Sequence, residues 1–297
     1  MNNQSTKPHE QLFNERQTFR EGLFYALFTY LSYGFLPLFW KQLAAVSPVV
    51  IVAHRVIWSV IFLALVLVLT RRFNQVSIAF KTCGFYLLIT GLLIGFNWGI
   101  YIWAINNGFV LEASLGYFIF PVVSAFCGAV FLKEQLTPRK WFAIFIAAFS
   151  VCSFAIFKHT APWIALSLAF SFAFYAVIRK SLAAVPPQIG LFIESVVLLP
   201  LAFLILYSYP IAPSFFSYAF HDKLFLAFTG LVTVLPLLSW SAAVSRLGLS
   251  TAGMIQYLSP SIQFLLSIYA FNEPYSSAQI WMFAGIWLSV VVYIFRS

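Results

Sequence analysis

The chain reads as a succession of long apolar stretches separated by short polar breaks. Each stretch is close to the roughly 20 residues that carry an α-helix across a bilayer. The pattern predicts spans at 22–40, 49–70, 84–105, 112–132 and 141–157, then at 162–179, 189–208, 224–244, 250–271 and 276–295. The expected fold class is therefore all-α integral membrane, with ten transmembrane helices. Residues 1–21 are polar and hold no apolar core of the kind a cleaved signal peptide needs, so they are expected to form a cytoplasmic tail.

The second set of spans copies the first. An offset of 139 residues lays Lys180-Ser-Leu-Ala-Ala-Val-Pro-Pro187 over Lys41-Gln-Leu-Ala-Ala-Val-Ser-Pro48, with six identities in eight. Apolar segments match by chance, but a shared lysine and proline in register do not come so cheaply. The same offset superposes Ser171 on Ser32, Phe174 on Phe35, Thr229-Gly230-Leu231 on Thr90-Gly91-Leu92, Pro260 on Pro121 and Glu273 on Glu134. The chain thus divides into a first repeat at 22–157 and a second at 162–297. With five helices per repeat, an odd number, the second copy must enter the membrane from the other side. Inverted repeats of this kind are the usual architecture of secondary transporters, because two copies related by an in-plane axis can exchange outward-open and inward-open states.

Composition supports the membrane assignment and charge orients it. Of 297 residues, 62% are hydrophobic and 8% charged, against about a quarter charged in a soluble domain. The net charge of +9 would suit nucleic acid, but its distribution argues against that partner. Thirteen lysines and arginines collect on the side holding the N-terminus, among them Arg71, Arg72, Lys81, Arg139, Lys140, Arg179 and Arg246, while the other side has only Lys41, Lys158 and Lys223. The positive-inside rule then places both termini in the cytoplasm. Trp40, Trp141, Trp163 and Trp281 fall near span ends, where an aromatic belt anchors them. Cys83, Cys127 and Cys152 show neither CxxC spacing nor an even count, so no disulfide framework or zinc site is expected.

Candidate chemistry lies inside the spans. Pro121 and Pro260 fall near the middle of matched spans. Proline lacks an N–H, so the carbonyl four residues earlier loses its helical partner. Those carbonyls belong to Tyr117 and Gln256. Broken helices lining a midplane cavity are where transporters commonly hold substrate, so Tyr117, Gln256 and Tyr257 are expected to face one. A packing kink closed by a neighbouring hydroxyl is the structural alternative. His54, Arg55, Glu112 and Glu194 are ionisable groups within or at the edge of spans, where a mid-helix charge costs about 2.5 to 3.5 kcal/mol. They are candidates for coupling or gating, with snorkelling or local pairing as the alternative. Arg55 and Glu194 share a repeat slot with opposite charge, but inversion sets each about two turns from opposite faces, so no direct contact is expected. Glu112 and Glu194 are the candidates for a coupling proton. The segment from Asn97 through Trp98, Tyr101 and Trp103 to Asn107 mixes amides with large aromatics. A cavity lined this way suits an amphipathic or drug-like solute, and Asn97, Trp98 and Tyr101 join the substrate-binding candidates.

Several runs together resemble the RarD branch of the EamA family, in the drug/metabolite transporter superfamily. They are Pro37-Leu-Phe-Trp-Lys41, Ala53-His-Arg55 with Trp58, Asn97-Trp-Gly-Ile-Tyr101, Glu112-Ala-Ser-Leu-Gly-Tyr-Phe118, Ser250-Thr-Ala-Gly-Met-Ile-Gln-Tyr257 with Pro260, and Glu273-Pro274. The resemblance runs from about residue 20 to the end and is most specific at Glu112 to Phe118. It implies a ten-helix inverted-repeat fold in the bacterial inner membrane, a cavity lined by the third, fourth, eighth and ninth helices, and a link with drug sensitivity. Two positions depart from the pattern. Phe120 precedes Pro121 where the branch commonly has Asn, and Asn272 precedes Glu273 where Gly is usual.

The expected function is secondary transport of a small organic solute, a drug or metabolite, by alternating access and in the direction of export. A flippase for a lipid-linked substrate is the alternative, favoured by lateral openings between helices. An intramembrane enzyme is less favoured: there are no paired acids, ligand clusters or nucleophile motifs, and His9, His54, His159 and His221 are scattered. No catalytic residue, metal or cofactor is expected, and no GxxxxGK[ST] loop points to ATP. The expected partners are the solute, the lipid bilayer and a coupling proton, with homodimer formation left open.

Overall fold

A computed structural model describes residues 7–131, 133, 136–158, 162–182, 184–208, 217–247 and 255–294. Among these there is no strand, and ten helices account for nearly all of them. They are α1 Lys7–Lys41, α2 Pro48–Leu69, α3 Asn74–Asn106, α4 Val110–Phe131, α5 Pro138–Lys158, α6 Trp163–Ser181, α7 Pro187–Ser208, α8 Phe220–Leu247, α9 Leu258–Tyr269 and α10 Ser277–Ile294. In hydrocarbon each backbone N–H and C=O must be satisfied within the protein, and a helix does this locally. Prolines open α2, α5 and α7, at the helix start where a missing N–H leaves no carbonyl unpaired. Pro48 and Pro187 do so at the same repeat position.

Five stretches are long and apolar enough to cross a membrane: Gln17–Lys41, Pro48–Leu69, Asn74–Asn106, Pro187–Ser208 and Phe220–Trp240. Helix α4, bent by 41° between Val110–Phe120 and Val122–Phe131, makes a sixth when its two limbs are taken as one span. Trp163–Arg179 and Leu258–Tyr269 are shorter apolar helices. The chain is a multi-pass helical membrane protein. Three elements differ from the sequence expectation. Helix α1 starts at Lys7, so most of the polar stretch 1–21 continues the helix, tied down where Arg246 Nε meets Glu21 Oε2 at 3.3 Å. Helix α3 starts at Asn74 rather than 84, because its first turns need no apolar side chains to close their hydrogen bonds. Helix α9 is confined to Leu258–Tyr269, and residues 250–254 of the expected span lie outside the described residues.

The helices pack as two sets that exchange with each other. Pairing α1 to α5 with α6 to α10 turns the contact α1 with α8 into α6 with α3, α1 with α9 into α6 with α4, and α2 with α8 into α7 with α3. All six contacts exist, and α2 with α7, α4 with α9 and α5 with α10 map onto themselves. Single residues follow the 139-residue offset. Thr29 Oγ1 donates to the Pro236 carbonyl at 3.2 Å, and at the matched crossing Asn97 Nδ2 donates to the Leu168 carbonyl at 3.0 Å. Lys133 and its counterpart Asn272 both take a left-handed backbone, φ 55° and 50°. Asparagine tolerates that region better than most residues, which accounts for Asn272 standing where the family pattern has glycine. The other matched pair with a steric requirement is Gly91 and Gly230. A Cβ on Gly91 would lie 3.1 Å from the Glu194 carbonyl oxygen, and one on Gly230 would lie 2.6 Å from that of Trp58.

Helix ends sort to two ends of the bundle. At one, Lys41 closing α1 sits 5.3 Å over the ring of Phe271 just after α9, and Trp163 opening α6 lies 5.6 Å from Trp103 near the end of α3. At the other, Glu21 of α1 meets Arg246 near the end of α8, and Phe73 before α3 lies 5.7 Å from Phe192 early in α7. Helix α1 therefore ends where its counterpart α6 begins. We refer to these as the Lys41 end and the Arg246 end.

Candidate functional site

Arg55 projects from α2 into the seam between the two sets of helices, two turns in from the Lys41 end, and is 5% exposed. Its Nε donates to Thr233 Oγ1 of α8 at 2.9 Å. The guanidinium lies 4.0 Å from the ring centre of Trp98 on α3 and 5.3 Å from that of Trp40 on α1. Tyr33, Tyr101 and Tyr117 are within electrostatic reach of it. Nη1 is buried without a hydrogen-bond partner, as is the Tyr101 hydroxyl. Thr233 is held by its own bond to the Thr229 carbonyl at 2.8 Å.

Next to Trp98 on α3, Asn97 is 2% exposed and fully engaged. Its amide donates to the Leu168 carbonyl and to Ser171 Oγ at 2.9 Å, and its oxygen accepts from the Tyr117 hydroxyl at 3.3 Å. The Tyr117 ring meets Tyr101 edge-on at 5.4 Å. Asn97, Trp98, Tyr101, Tyr117 and Arg55, singled out on separate grounds in the sequence, thus form one aromatic and polar cluster. Trp40, Tyr33, Thr233 and Ser171 belong to it as well. The sequence places Trp40 in an aromatic belt at a span end, whereas it is fully buried beside Arg55. Tyr33, Thr233 and Ser171 are ordinary span residues by themselves, and only the pairing of α1, α6 and α8 against α2 and α3 brings them in.

Glu194 occupies the slot matching Arg55, but near the Arg246 end, and is fully buried on α7. Thr90 of α3 donates to its Oε1 at 2.7 Å, Tyr175 of α6 to its Oε2 at 3.2 Å, and Arg179 of α6 lies 3.8 Å away. Arg179 is the repeat counterpart of Trp40. The same slot therefore holds an ion pair, Arg179 with Glu194, in one half and a cation on an aromatic face, Arg55 with Trp40, in the other. Arg55 and Glu194 have separate partners.

The remaining candidates lie elsewhere. Tyr257 stacks on Phe118 at 6.4 Å among Met282, Phe283 and Ile286, on a different face of α4 from Tyr117. Pro260 falls in the first turn of α9 instead of mid-helix, after a break at Gln256 and Tyr257, and the Gln256 carbonyl accepts from the Ser259 N–H at 3.2 Å. The carbonyl expected to be orphaned is thus taken up by a turn. The Pro260 carbonyl accepts from Ser114 Oγ of α4 at 2.8 Å, joining the two matched helices, and α4 bends at Pro121. Glu112 is half-buried in the first turn of α4. That terminus is capped by Glu273, whose two oxygens accept from the Val110 and Leu111 N–H groups at 2.8 Å each. His54 is 6% exposed on α2. Phe120 packs on Phe172 at 4.7 Å, so the family's polar position is here an aromatic pair.

A multi-pass helical bundle of two exchangeable halves, with a polar cluster at their seam, is the frame into which the comparisons fall. The model of the EamA-like transporter family matches residues 20–156 and again 160–295. The chain belongs to that family, and its relatives set it on the RarD branch. It is 38% identical over 283 residues to an uncharacterized transporter of Vibrio cholerae, covering 94% of this chain and 93% of that one. It is 38% identical over 281 residues to the protein RarD of Escherichia coli K12, covering 93% and 94%. A crystal structure 17% identical in sequence shares the fold with a TM-score of 0.59, covering 93% of this chain and 97% of its own.

Proposed function

We propose that the chain carries a small organic solute, a drug or metabolite, across the bacterial inner membrane by alternating access, in the direction of export. The observation that carries this reading is the polar and aromatic cluster of Arg55, Asn97, Trp98, Tyr101 and Tyr117 at the seam of two matched, oppositely directed halves. A solute bound there is exposed to one side or the other as the halves rock about it. All ten helices span the membrane in this reading, the short ones within bent or broken spans, and both termini are cytoplasmic. Arg55 and His54 on one side and Glu194 on the other serve as gating groups, and Glu112 or Glu194 takes up a coupling proton.

Two outcomes test it. Reporter fusions in the turn 71–73 and in the loop that contains 217–219 are expected to report cytoplasm and periplasm respectively. The same side for both would dispose of the topology. Asn97→Ala is expected to lower solute export by about tenfold, in line with one to two buried hydrogen bonds at ~1 kcal/mol each. Metabolite differences between cells lacking and overproducing the protein supply the readout, with membrane levels of the variant matched to the parent. Unchanged export by that variant would remove Asn97 from the path.

A flippase is the second reading, because a groove of about 490 Å³ opens between α2, α3 and α7. Pro48, Val52, Gly95, Gly99, Trp163 and Leu198 help to line it. Apart from the indole N–H groups of Trp103 and Trp163 the lining is apolar, so it suits an acyl chain and offers little to a headgroup, which is why the solute reading leads.

A further inference from the structure

We infer that the solute held at this seam is an organic anion, a monocarboxylate with a flat aromatic or unsaturated body, and that Arg55 Nη1 receives its carboxylate. The inference rests on the transporter reading of this site and adds the class of substrate. A guanidinium inside a membrane bundle is ordinarily neutralised by a carboxylate, as Arg179 is by Glu194. Arg55 has no carboxylate against it among the described residues. Its bonding consists of Thr233 and the faces of Trp98 and Trp40. Those faces attract the cation through their ring quadrupoles but leave Nη1 buried and unpaired; Arg179 Nη1 is unpaired as well, so the lack of a carboxylate is what sets Arg55 apart. The fork geometry of a guanidinium matches a carboxylate through two parallel donors.

The surroundings select the body of the ligand. Tyr33 and Tyr117 are half-buried and Tyr101 is buried with an unpaired hydroxyl, so the wall beside the cation is aromatic, with a hydroxyl to spare. Flat apolar ligands stack on such walls. None of the acids in the spans stands against Arg55: Glu194 is held by Arg179, Thr90 and Tyr175, Glu273 caps the start of α4, and Glu112 sits half-buried in the first turn of that helix. An ammonium group would find no partner beside Arg55. The site thus favours a simple anion over a zwitterion or a cation.

Three probes of one shape separate these cases: benzoate, benzamide and benzylamine, titrated at neutral pH against the full chain in nanodiscs while tryptophan fluorescence is followed. Benzoate is expected to quench saturably, and benzamide to bind roughly tenfold or more weakly, as the loss of one charge-assisted hydrogen bond requires. Benzylamine is expected not to bind. Arg55→Gln should weaken benzoate to the level of benzamide and leave benzamide unchanged, whereas Arg55→Lys should retain part of the preference and serves if the glutamine variant does not insert. Equal binding of benzoate and benzamide, absence of saturable benzoate binding, or benzoate affinity unchanged in both variants would overturn the assignment. Export differences between cells with and without the protein stand apart from these titrations, so the anion preference can fail while the carrier reading survives.

Discussion

Replacing Gly230 by alanine is expected to leave little folded protein. The added methyl would meet the backbone carbon of Trp58, with the Trp58 oxygen 2.6 Å away. Neither can turn aside as a side chain does, so α8 must retreat from α2 along one of the main contacts between the halves. Overpacking a tight core typically costs about 1 to 3 kcal/mol, and a backbone-to-backbone clash lies at or above that limit. The matched Gly91→Ala meets its nearest atom, the Glu194 oxygen, at 3.1 Å and is expected to be milder. Size-exclusion profiles and thermal stability of fluorescent fusions in detergent would compare the two. A Gly230→Ala protein as abundant and heat-stable as the parent would mean that α2 and α8 do not approach so closely.

The second large effect is expected at Glu194. Alanine there strands Arg179 and removes the acceptor of both the Thr90 and Tyr175 hydroxyls. Breaking a buried pair from one side costs about 3 to 5 kcal/mol, so Glu194→Ala is expected to reduce folded protein severely. Glutamine keeps the shape and an oxygen acceptor, and Glu194→Gln is expected to accumulate much closer to normal. That variant is the informative one for coupling. If Glu194 carries the proton, export by Glu194→Gln loses its dependence on the transmembrane pH gradient. Gradient dependence equal to that of the parent would leave Glu194 as a structural clamp alone.

The scaffold was legible in the sequence because hydrophobic length and a gap-free duplication are both one-dimensional signals. Lys41 over Lys180 and Pro48 over Pro187 anchored a register that reappears in three dimensions as Thr29 with Pro236 and Asn97 with Leu168. Arg55, Glu194 and Asn97 stood out because a polar group in hydrocarbon needs a partner, and a hydropathy pattern exposes that need. It does not name the partner. Thr233 and Tyr175 become visible only once the helices are packed, since aromatic and small hydroxyl residues are common throughout the spans, while Trp40 and Arg179 are legible as a span-end tryptophan and a flanking charge but not as partners of Arg55 and Glu194. Tyr257 shows the opposite failure: adjacency to Gln256 suggested one shared cavity, whereas the break before α9 turns Tyr257 towards Phe118. Helix limits at the ends of α1 and α3 were the least legible, because polar residues form helix as readily as apolar ones once a long helix is under way.

The slot that holds Arg179 with Glu194 in one half and Trp40 with Arg55 in the other makes the molecule a palindrome in shape but not in chemistry. In a carrier with identical halves, the two closures would be one object turned over, and neither would outweigh the other at rest. On the alternating-access reading, one closure would be fastened by opposite charges and the other by a cation on a ring. The resting balance between the two faces would then be written into the chain itself, before any gradient is applied, and a copy inserted upside down would be a different machine.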